Sequence, residues 1–110
     1  MVKDRVRACA VTSLDVNTLA GAYAAINSDG LDGACFLLRI INDSNKNLEI
    51  SYDGVTCHEF IDSDDQVQLD FQLNSLPNNR KALMEKGTVV YAKATAGGIG
   101  YVYLVGYYLD

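Results

Sequence analysis

The sequence predicts an all-β fold: a compact antiparallel β-sandwich, jelly-roll-like, of roughly six to eight strands with at most one or two short helices. Two observations carry this. Leu48, Ile50 and Tyr52 alternate with Glu49, Ser51 and Asp53, and Val67, Leu69 and Phe71 alternate with Gln68, Asp70 and Gln72; successive strand side chains point to opposite faces, so each run has one buried side, with Glu49, Ser51, Gln68 and Asp70 in water. Between the runs stand clusters of residues that favour turns, Asn42–Asn47, Asp53-Gly54 and Asp62–Asp65, whose side chains bond local backbone or tolerate left-handed conformations.

These signals order the chain around a three-strand antiparallel core from Cys35 to Phe71. Cys35–Ile41 is apolar on both parities, interrupted only by Arg39, as expected of a strand covered on both sides, either central in a sandwich or under a partner subunit. Asn42–Asn47 reads as the hairpin loop to the next strand. Thr56–Ile61 is a shorter strand candidate. Asn74–Gly87 is a connector with a possible helical turn at Lys81–Lys86, and Thr88–Ala94 with Tyr101–Tyr108 form a closing hairpin across the glycine-rich segment 96–100. Phe36, Leu38, Ile40, Leu48, Ile50, Leu69, Phe71, Val90, Val102 and Leu104 form the expected core.

The amino-terminal side is less determined. Val2–Leu14 alternates weakly, so residues 1–18 are either an edge strand or an arm that pairs with a neighbouring subunit. Asp15–Asn27 is either a short helix capped by Asp15 and rich in alanine or an extended loop. Ser28–Gly33 is an exposed loop.

A chain of 110 residues fits a single domain, and 49% apolar content is that of a folded protein. A net charge of −5 argues against a nucleic-acid partner, whose phosphates need clustered Lys and Arg. No apolar run is long enough to span a bilayer, so no membrane association is expected. Cys9, Cys35 and Cys57 are odd in number and widely spaced, which points to reduced thiols made in a cytoplasm, with no disulfide, metal or cofactor needed for folding.

Motifs that invite chemistry have simpler explanations. Gly97-Gly98-Ile99-Gly100 precedes a strand, whereas phosphate-cradling loops precede a helix. Cys57-His58-Glu59 sets a thiol beside an imidazole, but strand neighbours face opposite ways. Asp53, Asp62, Asp64 and Asp65 lack the glycine and distal glutamate of a calcium loop. No catalytic set remains, and no enzymatic activity is expected.

The segments FLLRIINDSNKNLEISYDGVTCHEFI, VQLDFQLNS and KGTVVYAKATAGGIGYVYLVGYY resemble small virion proteins of tailed bacteriophages, of the crAss-like podovirus type. The resemblance runs from about Leu19 to Tyr108 and rests on the "IINDS…ISYDG" run, the "LDFQLNS" strand and the "KGTVVYAKATAG…VYLVGYY" closing segment. It implies a β-sandwich component associated with the capsid or with a head-to-tail or tail ring, located in the virion beside other virion proteins, with no enzymatic residues to carry over. In the final strand Tyr101, Tyr103, Val105 and Tyr107 share one parity and Val102, Leu104, Gly106 and Tyr108 the other, so a tyrosine-rich side is left over after the core is filled. With Leu37 and Ile41 it forms the candidate subunit interface of a homo-oligomeric ring; otherwise another segment of the chain lies over it. A receptor- or glycan-binding module of a tail or head fibre is the other reading, for which exposed aromatics beside Asp and Asn are the expected chemistry.

Overall fold

The computed structural model describes residues 5–70, 75–76, 80–81 and 84–109. In chain order the strands are β1 (Val6–Ala8), β2 (Thr12–Asp15), β3 (Ala24–Ala25), β4 (Cys35–Ser44), β5 (Leu48–Ser51), β6 (Glu59–Ile61), β7 (Gln66–Asp70), β8 (Ser75–Leu76), β9 (Arg80–Lys81), β10 (Tyr91–Lys93) and β11 (Gly100–Leu109). The first sheet runs β1/β2, β11, β4, β7, with β1 and β2 pairing different parts of β11. The second runs β3, β10, β5, β6, and β8 pairs β9 as a separate ribbon. Counting β1 with β2 as one edge, the two sheets hold four strand positions each. The chain crosses between sheets after β2, β3, β4, β6, β7 and β10, which is the jelly-roll order.

The core lies between the sheets. Leu38, Ile40, Val102 and Leu104 of the first sheet meet Leu48, Ile50, Ile61 and Ala92 of the second and Val90 just before β10, all buried. Val16, Leu19, Ile26 and Leu31, which lie between strands, join them. Of the expected core, Phe36 and Leu69 are only half-buried, and Phe71 lies outside the described residues. Phe36 is displaced by a register shift between Tyr107 and Tyr108 that pairs Tyr108 with Cys35, so Cys35 takes the inner side.

Neither expected hairpin forms, and the three-strand core is corrected accordingly. β4 pairs β7 and β11, while β5 pairs β6 and β10 in the other sheet. Asn42 and Ser44 explain this, since they are strand residues facing inward at the end of the sandwich and are almost fully buried. The Asn42 amide Nδ2 donates to the carbonyls of Lys46 at 2.7 Å, Asp62 at 3.0 Å and Ile61 at 3.3 Å, and the Ser44 hydroxyl donates to Asn42 Oδ1. These bonds tie the end of β4 to the Lys46 carbonyl in the following loop and to the Ile61 and Asp62 carbonyls at the end of β6, which holds the chain as it arches across to the second sheet. The β10–β11 connection arches likewise. A side chain at Gly98 would collide with Val16, and Gly100 has φ +117° with its backbone pressed on Asp43, so bulkier residues are excluded at both positions.

The helix alternative for Asp15–Asn27 reduces to a single 3-10 turn, Val16–Thr18. Asp15 does cap it, accepting the Asn17 N–H at 3.0 Å, but Gly21 at φ +85° turns the chain, and Gly21 and Ile26 donate to the Ala94 and Val90 carbonyls. Of the proposed helical turn at Lys81–Lys86, residues 82–83 lie outside the described residues, and the described ones are not helical. Lys81 lies in β9, and Met84 is locked to Cys35 by two backbone bonds of 2.8 Å. Within Thr56–Ile61 only Glu59–Ile61 is strand. Ser51, expected in water, is fully buried, because the Asp53-Gly54 turn folds back over it: its hydroxyl accepts the Gly54 N–H at 2.9 Å and donates to Asp53 Oδ1 at 2.8 Å.

Asn42→Ala should destabilise the protein by about 2–4 kcal/mol, because it strips hydrogen bonds from three carbonyls at once and leaves a small void. Urea denaturation would read this as a lower midpoint at unchanged slope.

Candidate subunit interface

Strand parity, fixed by the core, determines the outer face of the first sheet. With Leu38 and Ile40 inside, β4 presents Leu37, Arg39, Ile41 and Asp43 outward; with Val102 and Leu104 inside, β11 presents Tyr101, Tyr103, Val105 and Tyr107. The register sets these in rows: Tyr101 beside Asp43 and Asp15, Tyr103 beside Ile41 and Ser13, Val105 beside Arg39, Tyr107 beside Leu37 and Ala8. β7 continues the rows with Gln66 beside Ile41, Gln68 beside Arg39 and Asp70 beside Leu37. All six residues expected at an interface therefore share one surface.

Their exposure is graded. Tyr101 is 45% exposed, Tyr103, Tyr107, Leu37 and Ile41 are half-buried against their neighbours, and Val105 is buried beneath them. The Tyr101 and Tyr103 rings are tilted with centroids 6.2 Å apart. Val6 and Leu109 extend the apolar surface at the far end. No described strand packs over these rows; β1 and β2 pair alongside β11 within the sheet. The first part of the amino-terminal segment is thus an edge strand in two pieces.

Arg39 and Asp43 are the residues that the sequence reading did not single out. The Arg39 Nε is buried and has no hydrogen-bond partner among the described residues, and Asp43 is exposed on the same strand. The signal was a lone cation interrupting an apolar run, together with an aspartate that lies in the strand and not in a loop.

Other candidate chemistry is accounted for locally. His58 Nδ1 accepts the Tyr52 N–H at 3.0 Å while its ring stacks on Tyr52, and the Cys57 thiol donates to the Glu59 carbonyl at 3.5 Å, so the thiol, imidazole and carboxylate do not form a relay. Asp53 accepts the Val55 and Thr56 N–H groups, both at 2.8 Å, and these bonds hold its carboxyl well below the usual carboxylate range. The Cys9 and Cys35 thiols converge over Gly106 with sulfurs 3.7 Å apart. Burial, reinforced by the Cys9 hydrogen bond, pushes the Cys35 thiol up to about 12, the opposite of an activated nucleophile. A cleft of about 330 Å³ beside the β1–β2 junction is lined by Cys9, Thr12, Asn27, Leu31, Asp32 and Leu104. Among the described residues, no helix is long and apolar enough to cross a membrane.

The class defined by this geometry is a jelly-roll sandwich with a tyrosine-rich outer face. No protein-family profile matches the chain, and no curated protein matches it either. Among solved structures it is similar to the Dit protein of phage SPP1, described as a paradigm of the hub adsorption apparatus in phages that infect Gram-positive bacteria, at 12% identity and a TM-score of 0.43. That similarity covers 96% of this chain and 50% of the Dit chain, so the present chain spans half the length of that protein. A likeness at this level fixes neither family nor function.

Two outcomes follow from these side chains. Because the Asp53 carboxyl is depressed when folded, it contributes stability that is fully present above the unfolded value of about 4 and is lost as pH falls through the folded one. Melting temperature should therefore decline less steeply in acid for Asp53→Asn than for the wild type. In native labelling with iodoacetamide, mass spectrometry should find the adduct at partly exposed Cys57 and none at buried Cys9 and Cys35 until the protein is unfolded.

Proposed function

We propose that this chain is a structural component of a tailed-phage particle, assembling with copies of itself in a cyclic arrangement at the capsid or the head-to-tail or tail region, and contacting other virion proteins there. The observation that carries the proposal is the outer face of the first sheet, where Tyr101, Tyr103, Val105, Tyr107, Leu37 and Ile41 form one continuous surface. Contiguous apolar patches on soluble monomers are small, and larger ones mark contacts. Tyrosine and arginine are the residues that dominate binding energy at such contacts, and this surface has three tyrosines around one arginine. The phage setting rests on the resemblance of the three quoted segments. The role includes no catalytic step, cofactor, nucleic acid or membrane; the protein is made in the host cytoplasm and ends in the virion.

A recognition module of a fibre is a second reading, favoured by a different observation. Phe60 is 76% exposed on β6, and the shallow depression beside it is lined by Asn47, Glu49 and Asp62, a pairing of aromatic surface with amide and carboxylate groups suited to a sugar. A glycan array separates the two readings: binding abolished by Phe60→Ala favours recognition.

Light scattering tests the assembly reading. The wild type should form a defined oligomer, and Tyr101→Ala combined with Tyr103→Ala should keep the circular dichroism spectrum while weakening association by roughly a hundredfold, the loss expected for truncating two interface anchors. A wild type that stays monomeric at high concentration overturns the proposal.

A further inference from the structure

The outer row of β4 reads Arg39, Ile41, Asp43, a cation and an anion placed symmetrically about an apolar residue. Arg39 has a buried Nε with no partner, and among the described residues neither side chain takes part in an ion pair or side-chain hydrogen bond. They cannot pair with each other, because four residues of strand separate their Cα atoms by roughly 13 Å. The fold satisfies the polar groups of Asn42, Asn27 and Asp53 locally, while the Thr12 hydroxyl and the Tyr52 hydroxyl, like Arg39 Nε, are buried with no partner among the described residues.

The structure assigns this row to a two-fold contact with a second copy of the chain, resting on the reading of this face as a subunit interface. Consider a two-fold axis lying in the plane between two such faces, across the strands through Ile41 and Tyr103. Rotation about it lays β4 antiparallel over β4 of the partner and exchanges the rows on either side. Arg39 then meets the partner's Asp43, and Asp43 meets the partner's Arg39. In the neighbouring strand Tyr101 lies over the partner's Val105, and Tyr103 over the partner's Tyr103. Ile41 packs on the partner's Ile41.

Two otherwise unpaired charges are neutralised twice by one symmetry operation, which is what an isologous interface requires. A register that set Arg39 over the partner's Arg39 would oppose like charges and is disfavoured. The contact defines a cyclic pair, and larger rings then need a second surface.

Charge exchange tests the pairing in the full chain. Arg39→Asp alone sets two carboxylates opposite each other, and Asp43→Arg alone sets two guanidinium groups opposite each other, so each should weaken self-association by roughly tenfold or more. The two changes in one chain should restore the wild-type mass. An equimolar mixture of the two single variants should also restore it, as a heterodimer, because both pairs then match; that result shows as well that each variant folds. If both singles associate like the wild type, or if neither the mixture nor the double variant recovers while circular dichroism shows folded protein, the pairing is wrong, although a tyrosine-dependent oligomer would leave the assembly reading intact. A monomeric wild type overturns both.

Discussion

The ladder between β4 and β11 is the constraint on which the rest of the molecule depends. Each strand is ten residues long, and they pair from Gly100 against Ser44 to Tyr108 against Cys35. Once that register is set, Val102, Leu104, Leu38 and Ile40 turn toward the second sheet, and the other parity is committed to the outer face. β1 and β2 attach to the free side of β11, and β7 to the free side of β4. The inner row is interrupted at Gly106, where a Cβ would come within 3.1 Å of Cys35 Sγ and Leu38 Cδ2. The two thiols fill the space that glycine leaves, so the cysteines are packing atoms of the central ladder.

The alternation that defined the strands was legible in the sequence because it follows from backbone geometry alone. Leu48 and Ile50 are buried, and Tyr101, Tyr103, Val105 and Tyr107 share a face. Strand partnership was not legible. Asn42–Asn47 has the composition of a hairpin loop, but composition does not reveal whether a turn returns to the same sheet or crosses to the other. The decision lies in Asn42, whose amide reaches carbonyls near Ile61 that are distant in sequence. Ser51 was misplaced for a related reason, since its burial comes from the turn that folds over it and not from its parity. The outer-face residues were readable as a set, but Arg39 and Asp43 among them were not, because Asp43 was assigned to the loop.

The same polar groups that redirect the chain also stiffen the ends of the sandwich. Asn42 and Ser44 close one end, and Asn27 joins the strand-free segment before β4 to Val90 and Thr88 by bonds of 2.8 and 3.1 Å. Buried amides of this kind specify one arrangement, since any slip in register would leave several carbonyls unpaired. A sandwich so pinned presents its outer face as a rigid surface, which lowers the entropy lost when another protein docks on it.

The sheet edges are poor sites for adding strands. An exposed edge recruits another chain when it is long, flat and apolar. Here β3 has two residues and β6 three, while β1 and β2 are short pieces separated by Cys9–Val11. Among the described residues, β7 is the longest free edge at five residues, and its outward row is Gln66, Gln68 and Asp70. Short, interrupted or polar edges give a new strand few hydrogen bonds in register and little apolar surface to cover. The outer face has the opposite character, since it is continuous across β11 and β4 and aromatic. A contact made through this face would leave every ladder of the monomer intact, so the assembly proposed above would not compete with folding.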